Sequence, residues 1–441
     1  MTTSLYWLTS DLRLDDNPAL VRAAQADSLI CVYCIDQRWF KPHRYHVSSM
    51  GTHRWRFLRQ SLDTMAEQLR IRGQFLQIRY GLPEQQLAEL IRRHKVQRLI
   101  CSRQIASDEL RILKFLSQHF PELIIEQVDT ATLFDTGSFD ISLETLRKGF
   151  TPYRKQVETL SVPEPLQAPG SLPRAPLQVV PDQSLPDWIP KRYQQSGSGS
   201  ADFIGGENAA SEHLEAYFNS DLPSDYKNVR DQLDDWENSS RLSPWLAAGC
   251  LSPRRITKRL LRYEQQKGAN ESSYWLYFEL LWREYFHWLA LAQKDSLFQL
   301  KGLRSRPPHA CLHPERYRKW CHGNTPWPLV NACMRQLQAT GYLSNRGRQI
   351  AASCFVNELG MDWRYGAAWF EHMLIDFDVA SNWGNWQYIA GVGVDPRGGR
   401  HFDLAAQASK FDVDGMYVRR WAPHTPDSAL DSVDAADWPI G

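Results

Sequence analysis

Four stretches of this 441-residue chain concentrate side chains that could do chemistry. The most site-like is LIDFDVASNWGNWQYIAGVGVDP (374–396), which sets Asp376, Asp378, Asn382, Trp383, Trp386 and Tyr388 within thirteen residues. Carboxylates between apolar runs are costly to bury unless they are paired or hydrogen-bonded. Donors and acceptors interleaved with rings suit a large planar ligand with imide-like edges. In a long aromatic helix, Glu279, Trp282 and Arg283 stand at i, i+3 and i+4 and so share a face. A carboxylate, an indole and a guanidinium there could recognise a base or another flat heterocycle. An ordinary i,i+4 Glu–Arg pair beside a core tryptophan has the same spacing.

The other two stretches read as helix starts. Ser239, Ser240 and Ser243, in YKNVRDQLDDWENSSRLSPWLAAGCLSPR (226–254), precede a helical run. Hydroxyls and backbone N–H groups so placed can bind phosphate, although an N-cap is the commoner use of such serines. Asn345, Arg346, Arg348 and Gln349 open a helix after GYLS, which suits phosphate contact. A solvated first turn would look the same.

Other chemistries are absent. No GxxxxGK[ST] occurs, and the first strand runs into SDLRLDDNPAL rather than a glycine loop. GVGVDPRGG (391–399) has Pro396 where a third glycine is needed, which argues against NAD binding in the usual manner. Cys31 and Cys34 form a CxxC inside the apolar SLICVYCID, read as a buried strand; no second CxxC completes a zinc set, and no metal is expected.

The elements that must position these residues fall into two kinds. SLYWLT (4–9), LICVYCI (29–35), QFLQIRY (74–80), RLI (98–100) and LIIEQV (123–128) read as strands. HRWRFLRQSLDTMAEQL and PEQQLAELIRRH between them have helical spacing, so residues 1–135 form an α/β domain with a parallel sheet. Residues 136–205 hold a proline-rich linker with SGSGSADFIGG at its end, where Trp188 and Tyr193 are expected to pack on a domain. From 206 to 425 the chain is helical, and 426–441 is a short tail. RQIAASCFVNEL is expected as one helix within that half.

The chain carries 51 Lys and Arg against 50 Asp and Glu, a net charge of +1. That argues against coating duplex nucleic acid wholesale but is compatible with a local basic groove. Of 17 tryptophans only Trp7, Trp39, Trp55 and Trp188 precede residue 205. The crowding beyond it implies an aromatic core or a site for planar molecules. MTTSLYWLTSDLR is unlike a signal peptide and no run of about 18 apolar residues occurs, so an intracellular, cytoplasmic protein without a membrane partner is expected.

Laid together, FIGGENAA, SSRLSPWLAAGCLSPR, YWLYFELLWREYF, GYLSNRGRQIAAS and LGMDWRYGAAWFEHMLIDFDVASNWGNWQYIAGVGVDPR make the chain resemble the photolyase/cryptochrome family, most closely its cryptochrome-DASH branch. The resemblance covers almost the full length. It implies a Rossmann-like antenna domain joined to a helical domain that holds FAD. Tyr226, Ser239, Ser240, Arg241, Leu242 and Ser243 would hold the FAD phosphates and ribityl. Asp376, Asp378 and Asn382 would face the isoalloxazine, with Arg348 paired to Asp376 and Arg283 also among the cofactor contacts. A carboxamide at Asn382 can hydrogen-bond the flavin N5 without adding charge.

By the same resemblance the substrate is single-stranded DNA carrying cyclobutane pyrimidine dimers, with RNA or loops in duplex DNA as further partners of a monomer. The resemblance implies that the lesion leaves the base stack by base flipping. Glu279 would hydrogen-bond it and Trp282 stack on it, with Arg230, Asn345, Arg346, Gln349 and Tyr388 lining the pocket or meeting phosphate. Tyr388 and Gln349 stand where duplex-specific photolyases carry tryptophan and methionine. Asp108 and Glu109 match the acidic positions that hold a 5,10-methenyltetrahydrofolate antenna. Trp386 and Trp363 match the inner members of an electron-transfer chain whose outer tryptophan falls on Ala310; either Trp320 or Tyr317 would substitute, or photoreduction would be slow. Asp231 and Asn331 depart from the branch's pattern. A photoreceptor that signals without repair is the alternative function. A dark oxidoreductase is disfavoured because no substrate acid/base pair stands beside the flavin set.

Overall fold

The computed structural model describes residues 2–176, 185–194, 203–395, 398–424 and 430–431. Pro396 and all but two residues of the tail read as 426–441 lie outside the described residues. Five strands, β1 (Thr3–Leu8), β2 (Ser28–Asp36), β3 (Leu76–Gly81), β4 (Arg98–Ser102) and β5 (Ile124–Val128), form one parallel sheet in the order β3-β2-β1-β4-β5. Thr3 pairs with Ser28 and Ser4 with Arg98. Parallel strands are covered on both faces, which explains the near-continuous apolar runs; every residue of β2 after Ser28 is buried. Cys31 and Cys34 therefore point to opposite faces of the sheet, too far apart to share an ion.

The crossovers contain α1 (Pro18–Ala23), α2 (Thr52–Ile71), α3 (Pro83–His94) and α4 (Ser107–His119). Leu87, Ile91, Ile112 and Leu116 of α3 and α4 cover one sheet face with Trp7, Val32 and Leu99. The other face packs through α2 into a core that continues into the helical half. Strand order reverses at β1 and β4, so ligand space is expected beyond their carboxyl ends.

The linker is anchored where it is described. It forms α5 (Leu143–Leu146) and α6 (Phe150–Val157), and buries Tyr153, Ile189 and Tyr193. The Trp188 ring meets Phe40 at 5.8 Å and Tyr80 at 6.3 Å.

The second half contains α7 (Glu207–Asn219), α8 (Leu222–Val229), α9 (Ser243–Ala248), α10 (Pro253–Lys267), α11 (Glu271–Gln293) and α12 (Pro314–Cys321). It continues with α13 (Pro328–Thr340), α14 (Asn345–Ser353), α15 (Trp363–Met373), α16 (Val379–Ile389), α17 (Leu404–Phe411) and α18 (Met416–Trp421). Proline starts α10, α12 and α13, where its missing N–H costs nothing. An Asn270–Ser273 capping box starts α11. RQIAASCFVNEL does not form a single α-helix: α14 passes into a π-helical turn, Cys354–Glu358, whose Asn357 Nδ2 donates to Ser353 O (3.0 Å) and Arg400 O (3.0 Å).

The halves are pinned by buried polar groups. Arg13 donates to Gly249 O (3.0 Å), Asp16 O (2.8 Å) and Thr130 O (2.7 Å). Glu284 of α11 accepts the Leu133 and Phe134 N–H groups, each at 3.1 Å, and burial pushes its carboxyl up to about 7. Gly249 is obligatory, because a Cβ there would stand 2.0 Å from Ser10 O and φ is +70°.

Candidate active site

Asp376, in the turn between α15 and α16, organises the centre of the helical half. Its Oδ2 accepts from Ser243 Oγ (2.6 Å), 133 positions away in sequence, and from Arg348 Nη2 (2.7 Å). Arg348 is fixed in turn by Leu343 O (2.8 Å) and by the Tyr342 ring, 5.4 Å away. Asp376 is 7% exposed, and its Oδ1 is buried without a partner among the described residues. Such an orphan costs about 1–3 kcal/mol unless a ligand donor meets it.

Asp378 caps α16 by accepting the Ser381 N–H (2.7 Å), and its carbonyl accepts the Asn382 N–H (2.8 Å). Asn382 Nδ2 donates to Ala367 O (3.0 Å), an assignment that leaves Oδ1 as the free acceptor. Before α9 the chain is forced through left-handed conformations at two non-glycine residues, Asp235 (φ 72°) and Arg241 (φ 54°). Ser239 Oγ accepts the Arg241 N–H (3.4 Å), and Ser240 O pairs with His213 Nε2 (2.8 Å). Leu242 is the N-cap of α9 and makes no side-chain bond, so the serine run does not cap that helix. Tyr226 on α8 is buried, which raises its phenol pKa, and the Glu279 carboxylate adds to the rise. Orphan acceptor, guanidinium, carboxamide and a strained hydroxyl loop together fit a flavin dinucleotide.

A polar rim adjoins Tyr226. Glu279 pairs with Arg230 (3.0 Å), which also stacks on Trp275 at 4.7 Å. Arg346 pairs with Asp231 (3.1 Å), donates to Gln349 Oε1 (3.0 Å) and lies 4.8 Å from the Phe411 ring. Burial raises the Glu279 carboxyl while Arg230 opposes the shift. Asn345 is exposed at the first position of α14. Trp282 stands edge-on to Tyr388 at 6.4 Å, and Tyr388 is bonded by Arg400. Phe150 stacks on the Trp282 indole at 3.8 Å, so one of its faces is already occupied. Arg283 donates to the Ala131 and Leu246 carbonyls and thereby ties α11 to the sheet domain.

The tryptophans are ordered around the cradle. Trp386 lies against α15: a Cβ at Gly366, one turn beyond Trp363, would stand 2.2 Å from its ring. Trp363 donates to Leu300 O (3.1 Å) and meets Trp383 at 5.7 Å. The outer position expected for Trp320 is corrected by its burial. It has no exposed surface, and its ring lies 6.2 Å from that of Trp386.

Asp108 and Glu109 line a cleft at the strand ends together with Thr9, Asp36, Trp39 and Arg54. Asp108 is exposed and paired to Arg111 of its own helix. Glu109 Oε2 is buried and unpartnered, and burial raises its carboxyl. The opposite wall includes Phe377, between the two cradle aspartates, with Arg54 4.6 Å from its ring. Arg54, Tyr342, Phe150 and Phe377 were not anticipated as site residues. Nothing local marks them, since each acquires its role from a contact across the fold.

The DNA photolyase family model matches residues 4–170, and the FAD binding domain of DNA photolyase matches 275–437. A cryptochrome DASH of Idiomarina loihiensis is 46% identical, covering 99% of this chain and 96% of its own. The crystal structure of a Synechocystis cryptochrome superposes with a TM-score of 0.89 at 36% identity, covering 96% of this chain and 89% of its own. An archaeal photolyase from Sulfolobus tokodaii, solved with two FAD molecules, gives 0.75 at 25% identity, with 97% and 92% covered.

Proposed function

The chain belongs to the photolyase/cryptochrome family, in its cryptochrome-DASH branch, and from that premise we propose that it is a light-driven lyase of cyclobutane pyrimidine dimers preferring single-stranded DNA. It is a photolyase-like flavoprotein, and the cradle around Asp376 would hold its FAD. Asp376 Oδ1 would accept an N–H of the isoalloxazine edge and Asn382 Oδ1 would serve N5. The loop Ser239–Ser243 and Tyr226 would take the phosphates and ribityl. Bound reduced FAD supplies, on illumination, the electron that opens the cyclobutane ring and receives it back. The protein's share is to bind, orient and keep dry.

The observation that carries the reading is the Glu279–Arg230 pair beside Tyr226. A carboxylate with a raised pKa offers either a donor or an acceptor to a pyrimidine imide, at the edge of the flavin cradle. Single-strand preference follows from two features. Arg230 and Arg346 are already paired to carboxylates, and the net charge is only +1, so the attraction for duplex phosphates is weak. Extruding a lesion from duplex costs a few kcal/mol that a single strand largely avoids. Residues 1–135 would serve as antenna domain and 206–425 as catalytic domain. The antenna would be methenyltetrahydrofolate at Glu109, with a second flavin as the competing occupant, as in the Sulfolobus photolyase.

No helix among the described residues is long and apolar enough to cross a membrane.

Reduced protein, illuminated with a single-stranded oligonucleotide bearing one thymine dimer, should remove the dimer, and the matched duplex should react about tenfold more slowly or less. Intact dimers in both would refute the reading. If light then changed affinity for undamaged nucleic acid, the photoreceptor alternative would take its place.

A further inference from the structure

With Trp320 sealed inside and no ring at Ala310, the aromatic contacts must show where the tryptophan chain reaches solvent. One branch runs from Trp386 to Trp320 (6.2 Å), Phe355 (4.5 Å) and Tyr317 (6.2 Å), then to Tyr365 (5.9 Å). Another runs from Trp363 to Trp383 (5.7 Å) and Tyr45 (6.0 Å), then to Tyr365 (5.1 Å). Both arrive at the same ring. We propose that Tyr365 is the surface electron donor of this protein, the residue through which an external reductant refills the flavin's electron supply. The proposal rests on the flavin reading above and specifies which residue completes its electron path.

The distinction among the three tyrosines is where a proton can go. Oxidised phenol becomes a strong acid, so a tyrosine holds the oxidising equivalent only if its proton leaves. The Tyr45 hydroxyl is buried beside Arg44, a cation that cannot accept a proton. The Tyr317 hydroxyl is buried against the Cys321 thiol, and burial raises both groups above their ordinary range. Tyr365 is partly exposed, and the His46 imidazole stacks on it at 6.2 Å and 22°. Tyr45 and Tyr317 therefore only bridge with their rings and do not hold the vacancy; Tyr365 is a terminus.

The step balances as follows. With FAD bound and illuminated, Trp386 would give up one electron to it, and the vacancy would move outward from ring to ring. Tyr365 gives up one electron to the chain and its phenolic proton to water, leaving a neutral tyrosyl. A thiol returns a hydrogen atom to it. The flavin has gained one electron, and the thiol has lost one electron and one proton.

The test uses the full chain loaded with FAD, without DNA, under anaerobic conditions with excess thiol. In Tyr365→Phe the ring and its packing remain, but the proton-coupled terminus is lost. The radical lifetime and the photoreduction rate should each fall about tenfold, and the tyrosyl optical and magnetic-resonance signatures should vanish. FAD content and melting temperature should not change. Tyr45→Phe, Tyr317→Phe and their double variant keep the rings of both branches, so each should cost about twofold or less, and a loss there as large as in Tyr365→Phe would overturn the proposal. Parental kinetics in Tyr365→Phe would overturn the proposal. So would a loss in Cys311→Ser without one in Tyr365→Phe, since Cys311 is an exposed thiol 3.0 Å from His313. Repair by chemically reduced protein, parent and Tyr365→Phe alike, reports separately on the function: failure in the parent would refute the lyase reading, not the electron route.

Discussion

The cradle around Asp376 and the cleft beside Glu109 both present a buried, unpartnered carboxylate oxygen, yet they are built differently. In the cradle, Ser243, Arg348, Asn382 and Ala367 are drawn from separate helices and locked to one another before any ligand arrives. In the cleft, Glu109 stands on one helix, its neighbour Asp108 is tied to Arg111 of the same helix, and the remaining wall is mostly apolar. A site whose donors are already oriented loses little freedom on binding, whereas a loosely supported one loses more. The cradle is therefore suited to a resident cofactor and the cleft to an exchangeable chromophore.

That contrast can be broken most sharply at Asp376. Asp376→Ala removes a charge-assisted partner and strands Arg348, so flavin affinity should fall about ten- to a hundredfold. The flavin-to-protein absorbance ratio after gel filtration measures it, and an unchanged ratio would dissolve the cradle. Next in size is Glu279→Ala, which removes the hydrogen-bonding group altogether and should weaken binding of dimer-containing single strands by about tenfold. Glu279 also carries a pH prediction. Its folded-state pKa is raised, and phosphate nearby raises it further, so DNA binding takes up a proton. Protonation also frees Arg230. Parental affinity should thus rise as the pH falls from neutrality toward the raised pKa, and titrations of Glu279→Gln should be flatter.

A smaller effect is expected in the cleft. Glu109→Gln should lower antenna occupancy about threefold to tenfold while leaving FAD content alone; joint loss of both chromophores would mean the two sites are one structural unit. The smallest is Asp108→Ala. This exposed side chain is already paired to Arg111, so antenna occupancy should change by about twofold or less. An effect as large as that of Glu109→Gln would show that the cleft is more tightly built than its contacts indicate.

Much of this architecture was legible beforehand. Short continuous apolar runs mark β1–β5 and period-3.6 patterns mark the long helices, because burial leaves its trace in local composition and spacing. The run from Asp376 to Tyr388 stood out because carboxylates amid apolar residues need partners. The π turn at Cys354–Glu358 was not legible, since helical spacing continues through it and the extra residue is absorbed by Asn357 bonding to Arg400 O. Nor was the burial of Trp320, which depends on Ala351, Phe355 and Phe370 closing over it from other helices.

The sequence by itself determined the parallel α/β half, the helical half and the inventory of cofactor-class residues, because short-range periodicity and motif composition carry that information. Tertiary structure alone decided that Ser243 meets Asp376 and that Phe150 takes one face of Trp282. It also decided that Glu109 keeps a bare oxygen and that two aromatic branches converge on Tyr365. Each of these is a contact between residues far apart in the chain. Its existence depends on how helices pack, and no local pattern encodes which of many apolar faces will meet.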